Sequence, residues 1–248
     1  MSRPKNKSER EAMRTGGKYL AEILELLQQE VKPGMSTMDI NDIAAAELKK
    51  RNVRPAFLGY GGFPGVICTS INEAMIHGIP SKDEVLKEGD VVSLDFGVIH
   101  KGMITDAART FTLGPVDEEV QLLIDRTKES FFKGIAVLEP GVDLAEYGRA
   151  VDEYVSEFPY GLIESFAGHG IGKQLHESPL VPNYATEDYL ALEEHMTFAL
   201  EPMLSLGSHR VIEAEDGWTI FAEDYSMTAH YENTIMITKN GVEILTKV

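Results

Sequence analysis

The chain has 248 residues, 43% of them hydrophobic and 25% charged, the balance of a globular protein with enough length to bury a sizeable core rather than of a disordered or fibrous one. Its net charge of −17 excludes nucleic acid and anionic membranes as partners for its body, and a single cysteine, Cys68, excludes an internal disulfide and a thiolate zinc cluster. No apolar run of about 18 residues occurs, and MSRPKNKSEREAMR lacks the apolar stretch of a secretory signal, so a cytoplasmic location without membrane contact is expected.

The N-terminus gathers Arg3, Lys5, Lys7, Arg10, Arg14 and Lys18, which read as a solvated helix face or a docking patch. An amphipathic helix follows over roughly Ser8 to Val31, with Ile23, Leu24, Leu27 and Val31 at helical spacing, and it stops at Pro33-Gly34. Ser36 caps a second helix that runs to about Arg51, and Asp39 suits the positive end of its dipole.

Residues 127–158 repeat this grammar of helix, Pro-Gly and capped helix, with Asp143 and Glu146 as an approximate capping box. The two Pro-Gly steps lie 107 residues apart (140 − 33), and each helix pair is followed by glycine-punctuated, β-branched segments. The expected fold is therefore α+β, with two related halves around a shared antiparallel sheet.

Between the halves stands SLDFGVIHKGMITDAA, residues 93–108. Val92, Leu94, Phe96 and Val98 point to one face of the strand, and Ser93, Asp95 and Gly97 to the other. A two-residue turn at Lys101-Gly102 pairs 100 with 103, 97 with 106 and 95 with 108, which makes Asp95 and Asp106 diagonal neighbours with Cβ atoms roughly 7 Å apart. A three-residue loop without a bulge would put them on opposite faces. Two half-buried carboxylates this close need a shared proton or a cation. Taken alone, they read as an acid pair on an exposed hairpin.

Three later segments change that reading. FAGHGIG holds His169 between glycines, MTFALEPML sets Glu201 on the polar side of an alternating strand, and MTAHYENTIMIT puts Thr228, His230 and Glu232 on one face with Tyr231 on the other. Three β-segments with inward acids and a histidine suit a pair of metal ions held by oxygen and imidazole ligands.

These residues resemble type I methionine aminopeptidases, which have the pita-bread fold. The ordered Asp95, Asp106, His169, Glu201 and Glu232 carry the resemblance, together with NEAMIHGIP around His77, GHGIGKQLHESP around His169 and His176, FALEPML, and the segment from Trp218 to Glu232. It covers nearly the whole chain and implies one catalytic domain over 1–248 behind a short basic extension of about 1–8. The implied activity is removal of N-terminal methionine by a hydroxide held between two divalent ions. Asp95 chelates one ion, His169 binds the other, and Asp106 and Glu232 bridge them. Glu201 joins His169 and carries the proton, His176 donates to the developing oxyanion, and His77 positions the scissile amide. Tyr60, Phe63, Cys68 and Trp218, with His77 and His176, form the implied substrate site.

The sequence departs from common bacterial relatives at Phe57, Gly61, Leu175 and His230, the last standing where Gln is frequent and suggesting an altered contact near Glu232. Mn, Fe, Co and Zn all suit the ligand set. The expected partners are N-terminal Met peptides and nascent chains, with ribosome contact left open, and the expected state is a monomer. A proline-specific relative of prolidase or aminopeptidase P type is the competing enzyme, although those usually carry an additional N-terminal domain; a non-catalytic binding module would have lost ligands.

Overall fold

A computed structural model describes residues 3–187 and 190–248. Helices α1 (Lys7–Glu30) and α2 (Thr37–Lys50) open the first half, and α3 (Glu118–Ala136) and α4 (Ala145–Val155) the second. The first half contributes strands β1 (Arg54–Pro55), β2 (Cys68–Ile71), β3 (Ala74–Ile76), β4 (Val91–His100) and β5 (Met103–Thr112). The second adds β6 (Gly161–Leu162), β7 (Ala167–Gly170), β8 (Glu177–Pro182), β9 (Thr197–Leu200), β10 (Met203–Ser205), β11 (Val211–Glu213), β12 (Ile220–Ala222), β13 (Thr228–His230), β14 (Asn233–Thr238) and β15 (Gly241–Ile244). All the pairings described are antiparallel, and hydrogen bonding divides them into four sheets. No helix among the described residues is long and apolar enough to cross a membrane.

The helices start where side chains satisfy their free N–H groups. Asn6 and Glu9 form a capping box on α1, and Ser36 and Asp39 form one on α2. The expected box at Asp143 and Glu146 does not form. Helix α4 begins at Ala145, so Glu146 falls one position too early, and the Asp143 carboxylate instead accepts from the amides of Ala145 (3.2 Å) and Leu190 (3.0 Å). The buried stripe of α1, Leu20, Ile23, Leu24 and Leu27, packs with Val92, Leu94, Phe96 and Val98 of β4. Each such side chain contributes roughly 1.5–3 kcal/mol through burial, and this leaves the opposite face of β4 for the site.

Of the N-terminal cations, Arg3, Lys7, Arg14 and Lys18 are exposed, as on a solvated face, Arg10 is half-buried and Lys5 is buried. Arg3 pairs with Glu9 at 2.6 Å, and Lys5, 3% exposed, pairs with Glu177 at 3.2 Å.

The two halves repeat in detail. Gly34 and Gly141 both have φ of +91°, a left-handed conformation that glycine adopts without a steric penalty. Gly34 N–H donates to Leu86 O and Leu86 N–H to Met35 O; Gly141 N–H donates to Leu192 O and Leu192 N–H to Val142 O, all four at 2.8 Å. Where the halves meet, Ala108 and Glu232 exchange backbone hydrogen bonds at 3.3 and 3.1 Å. On either side the pattern is reciprocal. Thr234 Oγ1 accepts from Asp106 N–H and donates to Asp106 O, while Thr110 Oγ1 accepts from His230 N–H and donates to His230 O. A pseudo-twofold axis thus passes between Ala108 and Glu232 and relates residues 106, 108 and 110 to 230, 232 and 234.

Candidate metal centre

The β4–β5 hairpin turns at Lys101 and Gly102, whose φ values of +48° and +77° match a type I′ turn. Its register pairs His100 with Met103, Gly97 with Asp106 and Asp95 with Ala108. Asp95 and Asp106 therefore share a face, as the two-residue turn requires. The space over Gly97 is taken up by its neighbours. A Cβ on Gly97 would stand 2.7 Å from Ala56 Cβ and 2.9 Å from the Phe57 ring, so Ala56 and Phe57 fill that room.

His169 lies on β7 between β8 and β9. Its Nδ1 is 3.0 Å from Gly170 O, so Nδ1–H donates to the carbonyl and the Nε2 lone pair faces the site, 3.6 Å from Glu201 Oε1. Gly168 is required by the sheet: a Cβ there would stand 2.5 Å from Ala199 O. Glu201 and Glu232 are not within regular strands as expected; each stands at a break, Glu201 between β9 and β10 and Glu232 between β13 and β14. Pro202, which has no N–H to donate, follows Glu201.

Asp95, Asp106, His169, Glu201 and Glu232 open on one cavity of about 180 Å³, shared with His77, His176, Tyr60, Phe63, Cys68 and Trp218. Every predicted site residue is thus in one place. His77 is held at φ of +60°, uncommon for a residue with a Cβ, and its ring stands edge-on to Phe166. His176 lies 4.2 Å, ring to ring, from His169. Phe63 packs edge-on to Trp218 at 5.1 Å, and Gly61, at φ of +55°, places its backbone against the same indole. Phe57 and Leu175 also line the cavity, as do Ile76, Phe166 and Ala167, which sequence reasoning did not single out. Ile76 and Phe166 could have been suspected only from lying within three residues of His77 and His169.

Burial decides the charge states. It is the largest influence raising the carboxyls of Asp95, Glu201 and Glu232 well above their usual range. The neighbouring acids push in the same direction, Asp106 most strongly for all three. Burial takes Asp106 up to about 7. It also holds His169 down to about 3 and His77 to about 4, with help from His176, and lowers His176 itself. The Cys68 thiol is pushed well up by burial and then by Asp95, Asp106 and Glu232, which keeps it neutral as a wall of the cavity.

Asp95 Oδ1, Asp106 Oδ1 and Glu232 Oε1 are buried without a hydrogen-bond partner. The nearby Arg109 guanidinium donates to the carbonyls of Ala108, Glu232 and Thr246 and to Asn233 Oδ1. Asp106, His169 and Glu232 present ligand atoms within 4.8 Å of one another. Crowded acid oxygens without donors beside an imidazole lone pair fit a hard or borderline divalent cation.

Three comparisons bear on this site. The family model of metallopeptidase family M24 matches residues 11–239. A methionine aminopeptidase of Clostridium acetobutylicum is 48% identical over 243 residues, covering 98% of this chain and 97% of that protein. The crystal structure of a methionine aminopeptidase from Thermotoga maritima superposes with a TM-score of 0.97 at 42% identity, covering 100% of both chains. A prolidase from Pyrococcus furiosus shares the fold at a TM-score of 0.82 and 22% identity, with 65% of its length covered.

Proposed function

The chain belongs to metallopeptidase family M24, with the pita-bread fold, and its activity is that of a methionine aminopeptidase, a metal-dependent exopeptidase; on that premise we propose a role for each residue of the site. Two divalent ions, drawn from Mn, Fe, Co or Zn, would be held by Asp95 on one side, by His169 and Glu201 on the other, and by Asp106 and Glu232 between them. When bound, such ions polarise a carbonyl and lower the pKa of a water.

The protein's own groups do the rest. Glu201 takes the proton of the attacking water and delivers it to the leaving amine, a task suited to a carboxyl whose pKa burial and Asp106 raise. His176 Nε2–H donates to the oxygen that becomes negative, and His77 positions the scissile amide. Tyr60, Phe63, Cys68 and Trp218, with Phe57, Ile76, Phe166 and Leu175, form the apolar wall for the methionine side chain, whose polarisable thioether suits aromatic contacts.

The observation supporting this reading is the convergence of the five ligand candidates, both histidines and the aromatic wall on one cavity. We read residues 1–248 as one catalytic domain behind a short basic extension of about 1–8, acting as a cytoplasmic monomer on nascent chains, where contact with the ribosome would follow from the substrate. The test is cleavage of Met-Ala and Xaa-Pro peptides by metal-stripped protein with each ion added back. Free Met released only from the first supports the proposal. Cleavage of Xaa-Pro would favour the proline-specific reading, which rests on the shared fold alone, and no cleavage with any ion would favour a binding module.

A further inference from the structure

The pseudo-twofold axis relates His230 to Asp106. Each residue exchanges two hydrogen bonds through its backbone with a threonine hydroxyl of the other half, Asp106 with Thr234 and His230 with Thr110. The axis thus places the backbone of residue 230 as it places that of residue 106, whose carboxylate opens on the cavity. Here the second half carries an imidazole.

His230 is 1% exposed, and both its ring nitrogens are buried without a hydrogen-bond partner. A buried imidazole with two unsatisfied nitrogens is costly unless something in the working enzyme engages one of them. The acceptor facing it is Glu201 Oε2, 3.8 Å from His230 Nε2, while Glu201 Oε1 faces His169 Nε2 at 3.6 Å. One carboxylate is therefore bracketed by two imidazoles.

We infer that His230 is a positioning residue for Glu201: its Nε2–H closes onto Glu201 Oε2 and holds that carboxylate so that Oε1 is presented beside His169. The inference rests on the reading of His169 and Glu201 as ligands of one ion. A fixed carboxylate loses less freedom when it takes up an ion, and it keeps the proton-carrying group aimed at the reacting atoms.

The experiment compares Zn2+ binding to metal-stripped protein by calorimetry, together with kcat and KM on a Met-Ala-Ser peptide, for the wild type, His230→Leu and His230→Gln. The expected result for His230→Leu is a loss of Zn2+ affinity of about 10–100-fold, with kcat reduced and KM little changed. His230→Gln keeps an N–H donor and is expected to recover to within about threefold of wild type. Wild-type affinity in His230→Leu, or a glutamine variant as weak as the leucine one, would overturn the inference.

Should the leucine variant fail to fold, nitrogen NMR of histidine-labelled, Zn2+-loaded wild type decides, with the His230 signal assigned by its absence from His230→Gln. A neutral ring protonated on Nε2 is expected. A bare Nε2 cannot donate, and finding one sinks the inference. If the wild type itself binds no Zn2+, the assignment of the metal centre fails and this inference falls with it; binding by the wild type with the variants behaving otherwise than stated removes only the role of His230.

Discussion

The Tyr60 hydroxyl lies 2.6 Å from His176 Nδ1, on the exposed rim of the cavity. Burial lowers His176, so its ring is neutral near pH 7. A neutral ring that accepts the tyrosine proton at Nδ1 must carry its own proton on Nε2, which is the tautomer an oxyanion donor needs. Tyr60→Phe removes this constraint. A lost hydrogen bond of about 1 kcal/mol corresponds to a fall in kcat of about fivefold, with metal affinity unchanged. An unaltered kcat would show that Tyr60 does not set the tautomer.

His176→Ala deletes the donor itself. Removal of a single oxyanion donor costs about 100-fold or more in kcat, and because His176 is not among the proposed ligands, ion affinity measured by calorimetry should persist. Loss of the metal together with activity would count against the assignment.

The buried acids set a pH signature in the metal-stripped protein. Asp95, Glu201 and Glu232 are raised well above their usual range and Asp106 to about 7, so in that range the folded state holds protons that the unfolded chain has released. The sign follows from linkage: a folded state that binds more protons loses stability as pH rises. Below about 6.5, an unperturbed histidine pKa, the opposite slope enters. His169 and His230 near 3 and His77 near 4 stay neutral when folded but charge when unfolded, which destabilises the fold as pH falls. Thermal melts of stripped protein should therefore show Tm falling as pH rises above about 6.5, and added divalent ion should flatten that slope. A stripped protein whose Tm climbs through this range would contradict the burial of unneutralised acids.

Gly97→Ala tests the wall that Phe57 makes. The added Cβ would meet Ala56 and Phe57 at 2.7 and 2.9 Å, an overpacking worth roughly 1–3 kcal/mol. Urea unfolding should register that loss of stability. Because the Phe57 ring lines the substrate cavity, KM for Met peptides should rise more than ion affinity falls. Unchanged stability would mean that the strand and ring separate without cost.

Local pattern determined much of this protein. Alternation in VVSLDFGVI placed Asp95 on the face away from the core, and the two residues available for a turn at Lys101-Gly102 fixed the register that brings Asp106 beside it, because strand periodicity is two and one residue of slip would reverse the face. The Pro-Gly repeat likewise announced two halves, since a helix stop and a left-handed glycine are local requirements.

Other features depended on contacts between residues far apart in sequence. The Asp143 carboxylate turned to the Leu190 amide because α4 started at Ala145. Gly97 leaves a slot that Phe57 fills, which only the packing of β1 on β4 could decide. His230, 29 residues beyond Glu201 in the chain (230 − 201), faces its carboxylate because β13 pairs with β10, where Met203 stands opposite His230 and Glu201 lies just before that strand. Side-chain type and strand period are written in the sequence, but which buried nitrogen meets which oxygen is set by which strands pair, and that pairing joins residues far apart in the chain.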